Sequence, residues 1–210
     1  MWEMSELKKR LIGECQKGNI KEVEKYLSEV EEWFLSNGVE IQITYDNMSV
    51  FFAACQWPDI LDLLLSHPEI NTGEINDLFV WSTQPRNDNQ EHRGNVSYTD
   101  TALIKACRNG WTQSVERLLN IPNIDVNTLS VDGTSALEVA VRKGDTEVIE
   151  MLLKSPGMEE YTVRSAFLVA CSTPRMFDYV ENKPTATERI EIVRKISSTT
   201  SFSLKTHLMQ

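Results

Sequence analysis

Thr101-Ala-Leu-Ile-Lys-Ala-Cys-Arg-Asn-Gly110, followed by Val115 and Leu118-Leu119, lies over Ser135-Ala-Leu-Glu-Val-Ala-Val-Arg-Lys-Gly144, followed by Ile149 and Leu152-Leu153, almost without adjustment. Leu103 and Leu137, Ala106 and Ala140, Gly110 and Gly144, and Leu119 and Leu153 each stand 34 residues apart. A fixed period of this size marks a stack of similar units, each touching its neighbours. Within a unit the apolar positions recur at helical spacing, stop at a glycine and begin again, which predicts helix, tight turn, helix. The hydroxyls of Thr101 and Ser135 stand where the free amides of a first turn need an acceptor, and Asp145 can serve the second helix in the same way. Beyond it, Ile124-Asp-Val-Asn127 reads as extended and Val131-Asp-Gly133 as a turn in which glycine takes positive φ.

The run Asp132-Gly-Thr-Ser-Ala-Leu-Glu-Val-Ala140 resembles the Asp-Gly-x-Thr-Pro-Leu-His-x-Ala of ankyrin repeats, and Ile124-Asp-Val-Asn127 resembles their Ala-Asp-Val-Asn. The resemblance implies an all-α solenoid of helix-turn-helix units joined by finger-like β-turn loops. Two departures stand out: alanine replaces the proline, and Ile104 or Glu138 replaces the histidine. Losing that histidine removes a side-chain bond between neighbouring turns, so looser fingers are expected.

Imposing the same register outward finds weaker copies. Leu11-Ile-Gly-Glu-Cys-Gln-Lys-Gly18 with Val23 and Tyr26-Leu27 forms a first unit, although Glu14 stands where alanine belongs. Asp46–Ala54 with Leu61 and Leu64-Leu65 forms a second, with Asn47 in the glycine position. Ser165–Ala170 with Val193 and Ile196 forms a fifth. The reading is one ankyrin-repeat domain over 1–210, with repeats near 5–37, 46–73, 99–127, 132–157 and 162–200 and insertions near 74–98 and 172–187. The first repeat is also lengthened, near Glu29–Leu35, within its second helix. In the first insertion, Gln84–Asn95 carries no large apolar side chain, so ordering it has no offset, and mobility is expected.

The function classes that composition disfavours are several. A formal net charge of −10 repels nucleic-acid phosphate on average and suits a basic partner. The apolar runs are too short for a membrane helix, and nothing resembles a secretory signal, so the expected compartment is the cytoplasm, with the nucleus left open. Cys15, Cys55, Cys107 and Cys171 share one place in the repeat register and are therefore read as small core residues, reduced and buried, with no metal. His67, His92 and His207 have no nucleophile or metal partner at a telling spacing, and no phosphate loop or hydrolase motif occurs. An enzyme is not expected, nor a cofactor.

The resemblance implies a concave face built from fingers and first helices, where a partner protein or peptide docks. Mapped onto this chain it collects Tyr45, Met48, Gln56, Trp57, Tyr98, Asp100, Lys105, Arg108, Asn109, Ser130, Thr134, Arg142 and Lys143. Aromatic residues beside arginines are common interface anchors. Against this, Trp57 can simply cover its turn, Trp111 can pack on the next loop, and Trp81 can anchor the first insertion. The expectation is a non-enzymatic, monomeric interaction module. The alternatives are a regulatory subunit, inhibitor or substrate adaptor of an enzyme or transcription factor, or the repeat portion of a larger scaffold.

Overall fold

The computed structural model describes residues 2–37, 43–45, 48–67, 70–82, 97–172 and 184–199. The described elements are α1 (Trp2–Lys17), α2 (Ile20–Asn37), β1 (Thr44–Tyr45), β2 (Met48–Ser49), α3 (Val50–Ala54), α4 (Pro58–Leu65), β3 (Phe79–Ser82), β4 (Ser97–Asp100), α5 (Ala102–Asn109), α6 (Thr112–Leu119), α7 (Ala136–Lys143), α8 (Thr146–Lys154), α9 (Glu160–Cys171) and α10 (Ala186–Thr199). Successive helices pair as α1/α2, α3/α4, α5/α6, α7/α8 and α9/α10, and these pairs stack in two layers. The chain is an all-α repeat solenoid. Asn47, Gln84–Asn95 and Leu204–Met209 lie outside the described residues, as does most of the stretch between α9 and α10.

The local chemistry behind these elements is visible at their ends. Thr101 Oγ1 accepts from the Ile104 amide at 3.2 Å, Ser135 Oγ from Glu138 at 3.1 Å, and Asp145 Oδ1 from Val148 at 3.1 Å. Each removes an orphan donor of a first turn. Gly110 (φ 75°) and Gly144 (φ 73°) end α5 and α7 in the left-handed conformation, which lets the chain reverse within two residues. α2 runs for 18 residues where α6 has 8, so the extra residues near Glu29–Leu35 do lengthen a helix.

Between the layers lies one continuous core, with Leu11, Leu27, Phe51, Leu61, Leu103, Val115, Leu137, Ile149, Ala166 and Ile192 all essentially inaccessible. Polar links fix the stacking. Asn127 donates to the Gly157 carbonyl at 2.7 Å and accepts from the Glu159 amide and the Thr162 hydroxyl, both at 2.9 Å, tying the end of one unit to the start of α9. Arg117 reaches Asp62 across the second-helix layer at 2.8 and 2.9 Å. Glu138, in the histidine position, is buried and accepts from the Ser165 hydroxyl. A side-chain tie between these neighbouring units is thus made through Glu138.

One expectation fails in α9. Cys15, Cys55 and Cys107 are buried, but Cys171 is exposed. The reason is register. α9 has 12 residues against 8 in α5 and α7, and the alanine fully enclosed as Ala106 and Ala140 are is Ala166, one turn before Ala170. Cys171 is thereby carried past the packed turn to the helix end.

Candidate partner-binding face

The finger between the second and third units is a two-stranded antiparallel ladder, pairing Phe79 with Asp100, Val80 with Thr99, Trp81 with Tyr98 and Ser82 with Ser97. Alternation in Leu78-Phe-Val-Trp81 divides its side chains between two faces. Phe79 and Trp81 turn inward, with the Phe79 ring 5.1 Å from Phe52 of α3. Val80 stays 68% exposed. The next finger joins the same layer, since the Val131 amide donates to the Thr99 carbonyl at 3.3 Å, and Val131 is 74% exposed.

Asp100 organises the inward face. Its carboxylate is wholly buried and accepts from Trp81 Nε1 at 2.9 Å, from Arg108 Nε at 2.9 Å and from Arg108 Nη2 at 3.0 Å. The fork of Arg108 matches a carboxylate with two parallel bonds, which fixes its plane as well as its position. Tyr98 packs on two flat partners, stacked on Trp81 at 5.1 Å and 4.3 Å from the Arg108 guanidinium. Asp132 of the following finger approaches Arg108 at 3.7 Å. Although burial opposes ionisation of Asp132, hydrogen bonds from Ser130 and Thr134 and the charge of Arg108 hold its pKa below the ordinary carboxylate value.

The remaining residues of the expected face divide into those engaged by the scaffold and those still open. Lys105 donates to the Phe52 carbonyl at 3.2 Å and sits 4.1 Å from the Phe52 ring, 5.5 Å from Trp81 and 5.9 Å from Trp111. Lys143 donates to the Arg108 carbonyl at 3.0 Å, and burial lowers its pKa, against the opposing charge of Asp145. Asn109 donates to Lys105 at 2.8 Å, while Ser130 and Thr134 are buried in the Asp132 turn. Met48 accepts from Gln16 at 2.9 Å. Trp57 donates to the Gln16 carbonyl at 3.4 Å and its indole lies against Gly18, so it covers the turn of the preceding unit rather than its own. Trp81 does anchor its insertion. Of Tyr45 only the backbone is described, paired with Met48.

Open positions remain. Gln56 is exposed, Tyr98 is half-buried, and the Arg142 side chain is 31% exposed, its Nη2 4.0 Å from Glu138. Among the described residues no hydrogen-bond acceptor reaches Arg142 Nε. Sequence reading missed Val80 and Val131, whose signal was strand alternation beside a turn rather than helical period. Among the described residues no group of three or more His, Cys, Asp or Glu is placed to hold a metal ion, and no helix is long and apolar enough to cross a membrane.

The comparisons agree with this architecture. Residues 73–164 match the family described as ankyrin repeats, in 3 copies, and this part of the chain carries ankyrin repeats. It is 32% identical over 99 residues to BCL-6 corepressor-like protein 1 of Homo sapiens, a match that covers 46% of this chain and 5% of that protein. The chain thus shares only a small segment of that relative's length. Repeats of this family are in general protein-interaction modules without catalytic activity.

Proposed function

We propose that the chain binds a partner protein or peptide across the face formed by its fingers and first helices, with Tyr98 as the central contact and Gln56 and Arg142 beside it. The carrying observation is the packing of Tyr98 against both Trp81 and Arg108. An aromatic side chain fixed before binding loses little entropy on contact, which is how a small set of residues comes to dominate an interface. Asp100, Lys105, Arg108, Asn109, Ser130, Thr134 and Lys143 act from behind, holding that surface in shape, while Tyr45, Met48 and Trp57 border it. The overall negative charge favours a basic partner reached without nucleic acid, membrane or cofactor, and the chain acts as a cytoplasmic or nuclear monomer.

The likeness to a protein named as a corepressor supports a narrower version, in which the repeats serve as the docking part of a regulatory assembly. Capture of partners on the immobilised chain, followed by affinity measurement with the captured protein, tests the proposal. Tyr98→Ala and Arg142→Ala should each weaken binding by about tenfold, or ~1.4 kcal/mol. Unchanged affinity in both variants, with helix content intact, refutes the assignment of this face.

A further inference from the structure

A second surface lies apart from that face, on the first α-hairpin. A groove of about 690 Å³ runs between α1 and α2, lined among the described residues by Met4, Glu6, Leu7, Arg10, Tyr26, Glu29, Glu32 and Trp33. Met4 and Leu7 stand one turn apart on α1, while Tyr26 and Trp33 stand two turns apart on α2, so the apolar floor follows the helix axes. All four are half-buried, and Leu11 and Val30 close the core behind them. The rim is acidic. Glu6, Glu29 and Glu32 are exposed; Arg10 is tied to Glu6 at 3.1 Å, and Lys25, 5.4 Å from the Tyr26 ring, faces Glu22 at 3.8 Å.

We infer that this groove docks a basic amphipathic helix of a partner protein, its apolar stripe against Met4, Leu7, Tyr26 and Trp33 and its lysines or arginines over Glu29 and Glu32. An apolar ridge one turn long on α1 beside one two turns long on α2 offers the geometry into which a third helix packs. Charge selects the occupant. A second copy of this surface would bring carboxylates against carboxylates, at a cost that such juxtapositions carry in interfaces, whereas a basic rim meets the glutamates favourably. The proposal goes beyond the finger-side face and does not depend on it.

Fluorescence anisotropy with the full chain tests the inference. The probes are a labelled amphipathic helix of leucine and lysine, a scrambled peptide of the same composition, and a leucine–glutamate counterpart. The amphipathic basic peptide should bind about tenfold or more tighter than the scrambled one. The acidic peptide should not bind. Glu29→Lys with Glu32→Lys, both on an exposed surface that leaves the fold intact by circular dichroism, should weaken binding by about tenfold. Glu147→Lys with Glu191→Lys, the same charge change elsewhere, and Tyr98→Ala should change it less than about threefold. Trp33→Ala should weaken it at high salt as well, where screening has removed most of the surface attraction. Equal loss from the two charge-matched pairs, or equal binding of the scrambled peptide, overturns the inference in favour of diffuse attraction. Self-association of the free chain that the Glu29 and Glu32 changes alter overturns it in favour of a second copy.

Discussion

Replacing Asp100 by alanine removes the residue on which the finger and the third unit converge. In the native chain this carboxylate is wholly buried and accepts three hydrogen bonds, one from Trp81 and two from Arg108. Without it, Trp81 Nε1 loses its acceptor and the Arg108 side chain, only 19% exposed, keeps Asp132 at 3.7 Å as its nearest carboxylate. Breaking a buried ion pair by deleting one partner costs about 3–5 kcal/mol. The residual exposure of Arg108 places the expected loss near the lower end, about 3 kcal/mol. For a chain of this length that lowers Tm by about 6–12 °C. Asp100→Asn keeps the volume and one acceptor oxygen, so about 1–2 kcal/mol is expected. Urea melts followed by circular dichroism and tryptophan emission, run as a double-mutant cycle with Arg108→Ala, separate the pair from its surroundings. The coupling should reach at least ~1 kcal/mol. A loss below about 1 kcal/mol for Asp100→Ala, with negligible coupling, refutes the view that these residues are structural. The same geometry makes charge reversal at Arg108 a poor probe of partner binding, because it disturbs the scaffold first.

Leu103→Ala and Leu137→Ala, at positions 1% and 0% exposed, should each destabilise by about 2–5 kcal/mol in denaturant melts. Lys105→Ala should cost clearly more than substitution of a solvent-exposed lysine such as Lys21, since it vacates a site between three aromatic rings; equal effects in melts would contradict that packing. A polar thiol reagent at mild alkaline pH should modify Cys171 rapidly and the other three only on unfolding, because burial pushes Cys15 up to about 12, Cys55 up to about 11 and Cys107 upward as well. Gly18→Ala should destabilise by at least ~1–2 kcal/mol, from a φ of 74° and a methyl group that would lie 2.5 Å from the Trp57 ring, and an unchanged Tm would refute that contact.

What could be read from the chain was local. Thr101, Ser135 and Asp145 could be assigned as caps, and Gly110 and Gly144 as reversals, because each acts within a few residues of its own position. The fates of Lys105, Arg108 and Lys143 were not legible, since a cation turns inward only where the fold brings it an acceptor: the Phe52 and Arg108 carbonyls of neighbouring units for Lys105 and Lys143, and for Arg108 the Asp100 carboxylate at the base of its own finger. Cys171 was misplaced for a related reason: one added turn in α9 moves every later residue relative to its counterparts while leaving the composition of the helix unremarkable.

The first-helix layer thins between α3 and α5. α3 has 5 residues and touches α5 only slightly, while the second-helix layer continues through α4 and α6. On the thin side the space is taken by Phe79 of the finger against Phe52, with Lys105 bonded to the Phe52 carbonyl. The hairpin is therefore a keystone. In a linear array, cooperativity extends only as far as each junction transmits it. Loosening the finger would shorten that range, so that the two α-hairpins before it and the three after it would come to melt as separate blocks.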